Sequence, residues 1–135
     1  MDFSNINLLA VILSAVAGFA FGAVYYTALG KVWMDAVGLT EEQIKKDRSA
    51  IPFMTSFVSL LVLAVVLSWN FGQQVGDALT MGASVGTAVL LWLGLIVTSV
   101  ATNNAFQGAK AKLTVVDSIH WLGVVVVQAL VISVF

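Results

Sequence analysis

The sequence predicts an all-α integral membrane protein, a bundle of four transmembrane helices with both termini outside the cytoplasm. Three observations carry that expectation. Of the 135 residues, 60% are apolar and only 10% charged, whereas a soluble domain carries about a quarter charged residues. The charges are grouped so that long intervals hold none: from Asp2 to Lys31, from Arg48 to Asp77, from Asp77 to Lys110, and after Asp117. Each interval has room for the roughly 20 apolar residues that cross about 30 Å of hydrocarbon. Finally, all six basic residues fall in two of the connecting segments, which four spans would place on one side.

The elements follow in order within a single membrane domain, 1–135. A first helix over about 6–29 carries Ala10, Ser14, Gly18 and Gly22 at a spacing of four, a stripe that lets two backbones approach closely. The following loop contains "GLTEEQIKKDRSAIP". Thr40 and Gln43 have capping-box spacing, and Glu41 with Lys45 and Glu42 with Lys46 are i,i+4 pairs, so a short helix is expected over about 41–48. The second span, about 52–71, opens at Pro52, a residue tolerated in a first helical turn. The third, about 80–102, repeats the small-residue pattern at Gly82 and Gly86, and the fourth covers about 113–135. Helices are required because backbone groups left unpaired in lipid cost several kcal/mol each.

Lys31, Lys45, Lys46, Arg48, Lys110 and Lys112 place loops 28–51 and 103–112 in the cytoplasm by the positive-inside rule. The location implied is an inner (cytoplasmic) membrane, crossed several times. Little remains outside to form a receptor domain, and a net charge of −1 leaves no broad field for nucleic acid. Without cysteine there is no thiolate chemistry, and one histidine is too few for a metal site, so neither metal nor cofactor is expected. Trp33 and Trp69 lie where interfacial anchors belong.

The string "FGAVYYTALGKVWMDAVGLTEEQI" resembles the start of the small bacterial membrane proteins grouped as the "domain of unknown function 1761" family. The matching residues are Tyr25, Tyr26, Gly30, Lys31, Trp33, Gly38, Leu39 and Thr40. Further on, "LLWLGL", "TNNAFQG" and the pair Asp117 and His120 extend the likeness. Tyr25 stands where the family typically has tryptophan, and Thr27-Ala28 where serine-proline is common. The resemblance implies a four-span bacterial protein and no particular activity.

Within the spans, helical rise puts His120 about 10 Å inside the cytoplasmic boundary. Tyr25, Ser56, Thr98, Asn103 and Asp117 fall in the same layer, with Gln128 deeper on the His120 face. Asp117, three residues after Thr114, has the spacing of a first-turn cap. Two functions stand open. One is a non-catalytic component that packs with copies of itself or as an accessory subunit of a larger membrane complex. The alternative is a small oligomeric channel or carrier whose cytoplasmic-side polar layer surrounds His120 and Asp117. An enzyme is not expected, since nothing beyond a histidine and an acid is placed to orient a reacting group.

Overall fold

The computed structural model describes residues 6–46, 49–73 and 80–135. The expected end of the short helix at 47–48 and most of loop 72–79 lie outside the described residues. Among the described residues five helices follow one another: α1 Leu8–Val37, α2 Glu41–Lys46, α3 Ile51–Gly72, α4 Met81–Phe106 and α5 Ala111–Val134. All but α2 are long and apolar enough to cross a membrane. Among the described residues there are no strands.

Helix α1 outruns its expected end at 29 and continues to Val37. Gly30 interrupts nothing, because an isolated glycine only weakens a helix. The stop comes at Gly38, whose φ of 83° is the left-handed conformation that ends helices, with its N–H donating to the Met34 carbonyl at 2.8 Å. At the other end the Asn7 side chain accepts from the N–H groups of Leu9 and Ala10. The capping box of α2 forms as expected: Thr40 N–H donates to Gln43 Oε1 at 2.8 Å, and Gln43 N–H to Thr40 Oγ1 at 3.3 Å. Lys45 pairs with Glu41 at 3.4 Å.

Helix α4 is α-helical over Met81–Leu91, π-helical over Trp92–Val97 and α-helical again over Thr98–Phe106. Its buried and half-buried positions include Ser84, Ala88, Trp92, Ile96, Val100 and Asn104. A spacing of four drifts by about 40° per step on a helix of 3.6 residues per turn. The wider π turn takes up that drift and keeps both halves facing α5. Thr98 closes the segment by donating its hydroxyl to the carbonyls of Gly94, at 2.8 Å, and Leu95, at 3.2 Å.

Helix α5 stands at the centre. Val124 packs with Ala15 of α1 and Leu60 of α3, whereas Val125 and Ala129 pack with Leu67 and Phe71 of α3 and Ala88 of α4. The longest contact is the antiparallel seam of α1 with α5. Asn7 Nδ2 donates to the Phe135 carbonyl at one end, so these two helix ends lie on the same side of the bundle. At the other end Lys112 pairs with Asp35 at 2.5 Å and Lys110 Nζ donates to the Asp35 carbonyl at 2.7 Å. Those ion-pair partners are largely exposed, so the clasp contributes little to stability.

Between the ends the seam is set by glycine. A Cβ placed on Gly123 would run into the Phe21 ring, and one on Gly22 would lie 2.9 Å from His120 Nε2. Gly18 is roomier, with Leu60 Cδ2 at 3.4 Å and Gln128 Cγ at 3.5 Å. Gly123→Ala is therefore expected to destabilise the bundle. Overpacking costs about 1–3 kcal/mol, set against up to about 1 kcal/mol of helix propensity gained. Gly18→Ala should be close to neutral or stabilising. Unfolding of the purified protein by titration with sodium dodecyl sulfate reads both variants, and equal midpoints for the two would contradict this account.

Candidate functional site

The polar side chains meet mainly where α1 crosses the first three turns of α5. Tyr25 donates its hydroxyl to the Val116 carbonyl at 2.8 Å, and Tyr26 donates to Asp117 Oδ1 at 3.1 Å. Both tyrosines lean on the His120 ring, with centroids 5.4 Å and 4.7 Å away. Phe21 stacks on it at 6.3 Å and Trp121 meets it edge-on at 5.5 Å. His120 thus sits in a cage of aromatic rings. Its Nδ1 is buried with no hydrogen-bond partner among the described residues, and its Nε2 lies against Gly22.

Beside this cage a cleft of about 390 Å³ runs between α1 and α3. Gly18, Phe19, Gly22, Ala23, Tyr26 and Thr27 form its α1 wall. Phe53, Ser56 and Leu60 form the α3 wall, and His120 and Trp121 of α5 form the floor. The glycines make the gap, because any side chain at Gly22 would close on His120. Ala23, Thr27, Phe53 and Ser56 are exposed, so the cleft opens on the flank of the bundle. Among the described residues no charged side chain lines it.

The expected polar layer is thus gathered only in part. Tyr25, Asp117 and His120 come together, and Ser56 reaches the cleft rim. Thr98 and Asn103 do not join them. Both are exposed, and Thr98 spends its hydroxyl on its own helix. The π segment turns Asn104 toward α5 instead, where it donates to Thr114 Oγ1 at 3.1 Å. Gln128 is fully buried and donates to the Leu60 carbonyl at 2.9 Å, bridging α5 to α3 beside Gly18.

The expectation that Asp117 caps a helix is corrected. Helix α5 begins at Ala111, with Lys110 at its cap, so Asp117 lies beyond the first turn, and its carboxylate accepts from Tyr26 rather than from a terminal N–H. The small-residue stripes also separate. Ser14 and Gly18 are buried, and Gly18 and Gly22 face Gln128 and His120 of the same chain, whereas Gly82 and Gly86 are exposed on α4. Trp33, half-buried in the last turns of α1, meets Tyr26 edge-on at 5.9 Å, and Trp69 is half-buried near the end of α3.

Several residues in this arrangement carry no isolated signal. Phe21 and Gly123 form the tightest notch of the seam, and only a pairing of α1 with α5 in this register reveals them. Trp92 looks like an apolar packing residue, yet its Nε1 donates to the Ser118 carbonyl at 2.8 Å. Asp35 becomes a partner for Lys110 and Lys112 only because α1 extends past Leu29.

A family model described as Protein of unknown function (DUF1761) matches residues 9–133, and the chain belongs to that family. No curated protein and no solved structure matches it.

The Tyr26–Asp117 bond should show as coupling between the two residues. Tyr26→Phe is expected to cost about 1 kcal/mol. In a double-mutant cycle with Asp117→Ala, the two losses should fall short of additivity by about 0.5–3 kcal/mol. Strict additivity of the unfolding free energies would show that the bond contributes nothing.

Proposed function

We propose that this member of the DUF1761 family is a non-catalytic membrane component that assembles laterally, with copies of itself or as an accessory subunit of a larger membrane complex, using the outward face of α4. The observation that supports it most is the asymmetry of burial among the spans. In α4, 6% of the most apolar window is buried within the chain, against 22–33% in the other three. Its outward face carries Gly82, Gly86, Leu90 and Gly94 at a spacing of four. Among the described residues, and apart from α4's own nearby backbone, nothing lies within 4 Å of where a Cβ on Gly86 or Gly94 would be. Leu90 and Leu93 stand out as knobs, 70% and 53% exposed. In lipid, helices associate through such close backbone approach rather than through a hydrophobic drive.

The channel alternative draws less support. Its layer would need Thr98 and Asn103 turned inward, whereas both are exposed. The cleft opens sideways, and Ala15, Leu60, Val124 and Gln128 fill the middle of the bundle. The basic residues Lys31, Lys45, Lys46, Lys110 and Lys112 sit at the α2 end, which favours placing that end in the cytoplasm, in a bacterial inner membrane.

Extraction from native membrane into polymer-bounded lipid discs, followed by mass measurement, tests the assembly. The wild type is expected to carry more than one polypeptide. Gly86→Ile should reduce it to a single chain, while Gly18→Ala leaves the assembly unchanged. A wild-type disc holding one chain and no partner would refute the reading. Discs holding other polypeptides alone would make the chain an accessory subunit rather than a homo-oligomer.

A further inference from the structure

We propose that the cleft between α1 and α3 is a binding site for an uncharged amphiphile with a flat hydrogen-bonding ring and an apolar tail, admitted sideways from the bilayer. Its volume of about 390 Å³ lies within the range of small-molecule sites. A ring and the first carbons of a tail fill it, and the rest of the tail stays in lipid. The mouth, between Ala23 and Thr27 on one side and Phe53 and Ser56 on the other, faces outward along the bundle flank. In a membrane that flank meets acyl chains, so the ligand arrives from lipid rather than from water.

The walls define the chemistry. Among the described residues no charged side chain lines the cleft, so a charged head would lose its hydration without a counter-ion from them, which is costly. Phe19, Tyr26, Phe53 and Trp121 present ring faces and edges, which suit a planar group better than a saturated chain. Two polar groups stand on different walls. Ser56 offers a hydroxyl from α3, and His120 of α5 meets the cleft with Nε2 against Gly22. The other ring nitrogen is buried without a partner among the described residues. Nε2 stands beside Gly22, which opens the cleft, so a ligand carrying ring oxygens would accept from it and from the Ser56 hydroxyl, whereas the buried Nδ1 lies out of its reach. The aromatic cage holds the imidazole in place for that contact.

The test titrates the full-length protein in dodecyl maltoside micelles with a decyl-substituted 1,4-benzoquinone, following quenching of tryptophan fluorescence. Trp121 lines the cleft, so occupancy should quench a saturable part of the signal, and Trp121→Phe should remove that part. His120→Phe keeps a ring in the cage and removes the nitrogen, and should weaken binding at least tenfold. Dodecanol, which has a comparable tail without the ring, should not displace the quinone. Quenching that never saturates, displacement by dodecanol at equal concentration, or unchanged affinity in His120→Phe would each overturn the proposal. If His120→Phe does not fold, Ser56→Met, at an exposed rim position, narrows the cleft from α3 and should give the same weakening; unchanged affinity there overturns it equally.

Discussion

The two notches between α1 and α5 hold the rest of the structure in place. Phe21 of α1 fills the space above Gly123, and His120 of α5 fills the space above Gly22, so each helix supplies one knob and one hole. Lipid gives no hydrophobic drive for helix association, which leaves shape, dispersion and hydrogen bonds to fix the register. Once these rings are seated, Tyr25 and Tyr26 fall opposite Val116 and Asp117, and Asn7 and Asp35 reach the two ends of α5. The cleft is a by-product of the same geometry. Small residues bring α1 close to α5, and α3 then cannot cover all that remains exposed of Gly22 and His120.

The hydroxyls of Ser14, Thr27, Thr98 and Ser133 return to their own helices, whereas the larger polar side chains reach across. Tyr25, Tyr26, Trp92 and Asn104 all donate to atoms of α5, and Gln128 of α5 donates outward to α3. Each such bond crosses between helices, where an unmet donor would be expensive. Two of them end on backbone carbonyls already used within α5, which have a second lone pair to offer. The central helix therefore acts as the acceptor for its neighbours, and its sequence need not advertise that role.

Much of the fold was legible because charge and length are local properties. The four spans and the capping box of Thr40 and Gln43 follow from residues within a few positions of each other. What escaped depends on pairing. Leu29 looked like an end because Gly30 and Lys31 follow it, yet the helix continues to Val37, where it carries the Asp35 clasp. Asp117 resembles a cap only if α5 starts near Leu113, two residues beyond its true start at Ala111. Across different helices, depth groups residues into a layer around His120 but carries no azimuth. Tyr25 and Asp117 therefore arrived together while Thr98 and Asn103 turned away.

The π segment in α4 has a consequence for how this chain can change. A wide turn is in effect one surplus residue stored inside a continuous helix. The stretch before it, with its glycine face, and the stretch after it, with Asn104 on Thr114, are two rods joined by a splice, each keeping its own azimuth. A residue gained or lost at Trp92–Val97 alters the splice before it alters either rod. Both rods grip α5, the first through Ala88 and Trp92 and the second through Asn104, so the splice is what lets one continuous span hold two registers against the same neighbour.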